Sequence, residues 1–139
     1  KTKILTALHY RRLIASVKSM SKKRIGDTEG REAIRRFRLG SGESSDEAMA
    51  VRYLLQLLQT RAPGSSVEVR IPPWAAVQVI SGPQHSRGVP SAVVEMTPEI
   101  WIGVATGKLT FQTQLLNARI SASGQRSNLS EFLPLLELP

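Results

Sequence analysis

Residues 97–136 read TPEIWIGVATGKLTFQTQLLNARISASGQRSNLSEFLPLL, and the order of helix and strand signals in this stretch decides the predicted fold. Thr97 followed by Pro98 is typical of a helix start, because threonine caps free backbone N–H groups and proline fits the first turn. Gly107 predicts the end of that helix, and Thr110 predicts the start of a second one. The signals together predict helices over 98–106, 111–117 and 128–136, with a strand over 119–123 before the last of them.

The preceding residues predict two helices and three strands. Ser44 and Glu47 have the spacing of a capping box, and the apolar residues that follow recur at helical spacing as far as Gln59. Residues 67–71 alternate between apolar and polar, as in a strand that is buried on one face. The predicted elements are a helix that opens at Asp27 or Thr28, a helix over 45–60, and strands over 67–71, 74–80 and 92–96.

The chain has 139 residues, which is the size of one domain. It contains no cysteine, so disulfides, thiolate nucleophiles and cysteine-based metal sites are excluded. The two histidines, His9 and His85, are too far apart to have metal-ligand spacing. No apolar run reaches the roughly 18 residues of a transmembrane helix, and no signal peptide is evident. These features predict a cytoplasmic protein without a cofactor or metal.

The net charge of +8 is concentrated at the N-terminus. Residues 1–40 contain 12 Lys and Arg against 3 Asp and Glu, a net of +9, whereas residues 41–139 contain 7 against 8, a net of −1. A nucleic-acid-binding domain more often spreads its cations over one face, with aromatic residues between them. We therefore predict a basic helical N-terminal extension over 1–40 and a nearly neutral domain over 41–139, with no specific nucleic-acid partner.

The N-terminal extension has three interpretations that the sequence leaves open. Tyr10, Ile14 and Val17 have helical spacing with basic residues among them, and such a helix is typical of peripheral contact with an anionic membrane or a partner. The same apolar stripe is also suited to packing on the chain's own domain. Finally, Met20 followed by Ser-Lys-Lys-Arg resembles a translation start, in which case residues 1–19 are an upstream extension.

Candidate catalytic groups are few. Nucleophilic serine catalysis of the hydrolase type needs a G-x-S-x-G turn, which the chain lacks. His85 and Ser86 adjoin in the long polar loop 81–91, but no neighbouring carboxylate in the sequence orients the histidine as a base. We interpret the loop as polar surface, and a second interpretation has His85 and Arg87 binding an anionic head group at a cavity mouth. No catalytic residue and no metal ligand is therefore predicted.

Several segments carry a family resemblance. The order helix, glycine, helix, strand, glycine over 105–124 is similar to the end of the sterol-carrier protein domain. The segments VRYLLQLL at 51–58, RAPG at 61–64, VEVRIPP at 67–73 and GPQHSRGVP at 82–90 resemble a small actinobacterial subfamily of sterol-carrier-like proteins. The likeness extends over about residues 44–138.

The resemblance implies an α/β (α+β) fold in which about five mostly antiparallel strands are covered by helices, with an apolar cavity between the layers. Family members bind sterols, fatty acids or acyl-CoA, and the domain also occurs as a non-catalytic module of some mycothiol-dependent isomerases and acetyltransferases. The sequence leaves open which strand faces turn inward, because a slip of one residue exchanges them. The residues that we expect to divide between core and cavity wall are Trp74, Ala76, Val77, Val79, Val94, Trp101, Val104, Leu115, Leu129, Leu133 and Leu136.

These observations predict a non-enzymatic carrier that holds an apolar ligand of the sterol, fatty acid or acyl-CoA class in an internal cavity. Its mechanism is the removal of apolar surface from water, without bond chemistry. The alternative is a non-catalytic interaction or accessory module whose cavity is filled by its own side chains. An accessory component of a thiol-dependent isomerase is one form of that alternative.

Overall fold

The computed structural model describes residues 23–82, 92–124 and 127–138, and these residues form a mixed α/β structure with one sheet. The elements in chain order are helices α1 (Asp27–Arg38) and α2 (Ser44–Arg61), strands β1 (Val67–Ile71), β2 (Ala75–Val79) and β3 (Ala92–Met96), helices α3 (Pro98–Ala105) and α4 (Phe111–Leu116), strand β4 (Ile120–Gly124), and a 3-10 turn at Ser130–Phe132. The predicted α/β class is confirmed. Up to the end of β4, the boundaries of the elements agree with the predicted ones within one residue.

The sheet is mixed, with the strand order β2-β1-β3-β4. Strand β1 runs antiparallel to β2 and parallel to β3, and β4 returns antiparallel to β3. The described residues therefore form four strands, and the expectation of about five is wrong for this part of the chain. The alternation of apolar and polar residues indicates only these four, and the fifth was implied by the resemblance alone.

The strand register decides which residues turn toward the core. Val69 lies opposite Val77 on β2 and Val94 on β3, so these three side chains share one face. The alternate residues, such as Gln78 and Glu95, lie on the other face. The core face consists of Val67, Val69, Ile71, Ala75, Val77, Val79, Ala92, Val94, Met96 and Ile120, all of them buried.

Helix α1 packs along α2, although it falls within the range 1–40 predicted as an extension. Ala33 and Ile34 are buried in the same core as the sheet, and the Tyr53 hydroxyl of α2 donates to Asp27 Oδ1 at 2.7 Å. Burial of the side chain is the main cause that raises the pKa of Tyr53, and the hydrogen bond to Asp27 is the second. A domain boundary between residues 40 and 41 stays a prediction, but α1 contributes to the core on the far side of that boundary.

The start of α2 differs from the predicted capping box by one residue. The helix begins at Ser44, and its N-cap is Glu43, whose backbone N–H donates to Asp46 Oδ2 at 3.2 Å. Glu47, predicted as the partner of Ser44, instead accepts a hydrogen bond from Trp74 Nε1 at 3.3 Å. The predicted pairing of Ser44 with Glu47 is therefore wrong, because the helix begins one residue earlier and the capping box is formed by Glu43 and Asp46.

The predicted helix over 128–136 is also wrong. Only one 3-10 turn forms, at Ser130–Phe132, and the chain then becomes extended at Leu133. Pro134 has no N–H for a helical hydrogen bond, and Ser127, the residue before the predicted helix, donates its hydroxyl back to Gly124 O. The residues after the turn find hydrogen-bond partners on α2 and α3, as described below.

Candidate functional site

An open groove of about 540 Å³ lies between the end of α3, the start of α4 and the C-terminal residues. This volume falls within the range of roughly 300–1,000 Å³ that is common for small-molecule pockets. Its apolar lining is Val104, Leu109, Phe111, Leu133, Pro134 and Leu138. Its remaining lining is Thr106, Gly107, Thr110, Gln112, Ser130 and Glu137.

The floor of the groove is formed by the sharp turn that separates α3 from α4. Gly107 has a φ of +83°, the left-handed conformation expected of a glycine just beyond a helix end. Leu109 then folds back, and its N–H donates to Gly103 O at 3.0 Å. A side chain on Gly103 would overlap Leu109, so a glycine in the last turns of α3 allows this close approach. Thr110 caps α4 as predicted, accepting from Thr113 N.

One wall of the groove is the segment 133–138, which has no regular secondary structure and is here called the C-terminal strap. Ala105 O at the end of α3 accepts hydrogen bonds from Leu135 N at 2.8 Å and Leu136 N at 3.2 Å. Arg61, the last residue of α2, donates to Phe132 O at 2.9 Å, and to Pro134 O and Leu135 O on the strap at 2.8 and 3.3 Å. The strap is therefore held by backbone hydrogen bonds on one side and by a single guanidinium on the other.

The hydroxyl groups of the groove are already engaged as donors. Thr106 Oγ1 donates to Ile102 O at 2.7 Å, and Ser130 Oγ donates to Asn128 Oδ1 at 2.6 Å. Thr110 Oγ1 is paired with Thr113 Oγ1 at 2.7 Å. Each hydroxyl has one proton and two lone pairs, so Thr106 and Ser130 offer mainly acceptor capacity to a ligand.

The groove includes two of the residues predicted for the cavity wall, Val104 and Leu133. Trp101 is completely buried, and its Nε1 donates to Val51 O at 3.2 Å. Ala76 is buried too, but its register places it opposite Arg70, on the face away from the core. The others belong to the core or pack partly buried against it: Trp74, Val77, Val79, Val94, Leu115, Leu129 and Leu136. Their assignment to a cavity wall stays a prediction.

Sequence reasoning did not assign most of the groove to a ligand site. Gly107 and Thr110 are helix signals in the sequence, so these local patterns marked the floor. Leu138 and Glu137 were missed, because the segment before them was predicted to be helical. No local pattern indicates that this segment lies against α3. His85 and Arg87, predicted as a head-group site, lie outside the described residues.

The described part of the chain shows no other arrangement that points to chemistry. Within residues 23–82, 92–124 and 127–138, no group of three or more His, Cys, Asp or Glu side chains is placed to hold a metal ion. Among the same residues, no helix is long and apolar enough to cross a membrane. A second depression of about 360 Å³ is lined by Ile80, Asn128, Ser130 and Glu131.

Comparison with protein families identifies a match. The model of a family described as bacterial SCP ortholog, SCP being the sterol-carrier protein, matches residues 43–135. The matched range begins at the N-cap of α2 and ends within the C-terminal strap, so it includes the whole sheet and most of the groove lining. No curated protein matches the chain.

Proposed function

The chain belongs to the bacterial sterol-carrier protein family, and we propose from this that it is a non-enzymatic carrier that binds an apolar ligand in the groove beside α3. The sequence resemblance implies a ligand of the sterol, fatty acid or acyl-CoA class. The observation that carries the proposal is the groove itself, in which six apolar side chains line a space of about 540 Å³. The internal cavity expected from the resemblance stays a prediction, and the proposal places the ligand in the groove.

The proposed mechanism is burial without bond chemistry. Removing apolar surface from water contributes about 25 cal/mol per Å² to binding. A ligand that loses about 200 Å² of exposed apolar area is therefore stabilised by about 5 kcal/mol, before the entropic cost of association is subtracted. Val104, Leu109 and Phe111 from the region of α3 and α4, and Leu133 and Leu138 from the strap, supply apolar lining of the groove. A carrier needs reversible binding, and an open groove provides a route for the ligand to enter and leave.

The basic N-terminal residues are the basis for a proposal on where the protein takes up or delivers its ligand. Residues 1–40 have a net charge of +9, which favours peripheral contact with an anionic membrane surface. The carrier would take up or deliver its ligand there and is expected to work in the cytoplasm, in keeping with its cysteine-free composition.

A non-catalytic accessory module is the second candidate. The observation that favours it is the closely filled core: Trp101, Val94 and Val79, all predicted for a cavity wall, have no exposed surface. A domain filled by its own side chains would serve as a binding partner of another protein. This candidate predicts no saturable binding of apolar molecules in the groove.

A pair of tryptophan variants on α4 tests the proposal. Gln112 is exposed and lines the groove, whereas Leu116 on the same helix is 85% exposed and is not among the lining residues. We expect Gln112→Trp to fill part of the groove and to weaken binding of a fluorescent long-chain probe about tenfold, the effect of excluding about 60 Å² of apolar contact.

The matched variant Leu116→Trp adds the same side chain outside the groove and should leave the affinity unchanged. Equal affinities for the wild type and both variants would contradict the location of the site. Absence of saturable binding to the wild type would favour the accessory module.

A further inference from the structure

Among the residues that the structure describes, the lining of the groove has a single ionisable side chain, the carboxylate of Glu137. Glu137 is exposed on the C-terminal strap, next to Leu138 and four residues after Leu133, both of which line the apolar part. A ligand that lies along the groove with its polar end toward Glu137 places that end near a negative charge. A carboxylate or phosphate head group is repelled there, and an ammonium group is attracted.

The hydrogen-bonding groups of the groove favour the same ligands. The protons of the Thr106 and Ser130 hydroxyls are directed to Ile102 O and Asn128 Oδ1, so the free capacity of these groups is that of acceptors. A head group that donates hydrogen bonds satisfies them, whereas a carboxylate, which only accepts, does not. Gln112 is the exception, because its amide both donates and accepts.

Two of the described groups near the groove that could attract an anion are Arg61 and the N-terminus of α4. Arg61 directs its guanidinium to the carbonyls of Phe132, Pro134 and Leu135. Helix α4 begins at the groove, but it has only six residues, and Thr110 already accepts from the N–H of Thr113. Lys108 is exposed in the same turn but is not among the lining residues.

We propose that the groove selects amphiphiles whose head group donates hydrogen bonds and is uncharged or positively charged, and that Glu137 is the specificity-determining residue. The inference rests on the proposed function and narrows it. Of the ligand classes implied by the family resemblance, those with a carboxylate or phosphate head group are disfavoured. The net charge of the whole chain is +8, so long-range attraction acts in the opposite direction and a preference for amines would have to arise locally.

Three single-chain amphiphiles with the same alkyl tail test the proposal: dodecylamine, dodecanol and dodecanoate. Their affinities are measured at neutral pH and moderate salt by isothermal titration calorimetry on the full chain, below the concentration at which each ligand forms micelles. We expect dodecylamine to bind about tenfold more tightly than dodecanoate, with dodecanol between them, the scale of one partly screened charge pair.

Two variants with the same change of charge separate the local effect from the global one. Glu137→Gln removes the carboxylate from the groove, and we expect the amine-to-carboxylate ratio to fall from about tenfold to about twofold. Glu99→Gln makes the same change at the opposite end of α3, in its first turn, and should leave the ratio unchanged. Both positions are exposed, and thermal denaturation verifies that each variant is folded.

The possible outcomes distinguish this inference from the proposed function. Dodecanoate binding at least as tightly as dodecylamine overturns the inference while the carrier function stands, and favours the anionic head-group site predicted for His85 and Arg87. A ratio that Glu99→Gln reduces as much as Glu137→Gln also overturns it, because the preference is then global. If none of the three ligands binds, the carrier function fails and the inference fails with it.

Discussion

Gly64 occupies a position that no residue with a side chain would fit without strain. Its φ is +149°, and a Cβ at this position would overlap the backbone of Ile80 and Ser81. The close approach exists because the turn before β1 is tied to the end of β2: Ile80 N donates to Ala62 O at 2.7 Å, and Ser66 N donates to Ile80 O at 3.0 Å. Only a residue without a side chain fits between these hydrogen bonds.

We therefore predict that Gly64→Ala lowers the free energy of unfolding by about 2–4 kcal/mol, from backbone strain together with steric overlap. Urea denaturation measures the effect. Gly40→Ala is the control, because Gly40 also has a positive φ, +72°, but a Cβ there would meet no atom within 4 Å, and its loss should be about 1 kcal/mol. Equal losses at the two glycines would show that the contact with Ile80 is not maintained in solution.

At the scale of single residues, the sequence predicts the helix caps correctly but does not predict contacts between residues that are far apart in the chain. Thr97, Thr110 and Gly107 act within a turn of their own position, and the structure confirms all three. Trp101 is one of the residues expected to belong to the core or to the cavity wall, and it is completely buried. Its hydrogen bond to Val51 O, 50 residues away, depends on how two helices meet and has no signature in the sequence.

At the scale of elements, the C-terminal strap shows why the predicted last helix does not form. The apolar residues Leu129, Leu133 and Leu136 have helical spacing, but Pro134 interrupts the hydrogen bonding of a helix. Arg61 and Ala105 then provide partners for the strap backbone from α2 and α3. Arg61 precedes Leu135 by 74 residues and Ala105 precedes it by 30, so a local pattern cannot reveal these partners.

The hydrogen bonds of Arg61 predict a measurable change in the strap. Arg61→Gln removes donors to three carbonyls, and we expect the free energy of unfolding to fall by about 1–2 kcal/mol, since the side chain is partly open to solvent. The amides of Leu135 and Leu136 should exchange their hydrogens faster, while those of α1 keep their rates. Arg38→Gln, at the exposed end of α1, should change neither. Unchanged exchange in the Arg61 variant would mean that Ala105 alone holds the strap.

At the scale of the whole molecule, the groove joins segments that are far apart in the sequence. Val104 belongs to α3 and Phe111 to α4, two helices that the sequence predicts well. Leu133 and Leu138 belong to the strap, which the sequence does not predict. The sheet shows the same division. Its strands are visible as alternating residues, but the order β2-β1-β3-β4, with the parallel pairing of β1 and β3, depends on long-range packing.

The central claim is that an apolar ligand binds in the groove between α3, α4 and the strap, and backbone-amide NMR tests it most directly. The ¹⁵N-labelled chain is titrated with dodecanol. The account predicts saturable shifts of the amides of Gly107, Leu109, Phe111 and Leu138, with small changes in α1. Saturable shifts confined to α1 and the sheet, or no saturable shifts at all, would contradict it.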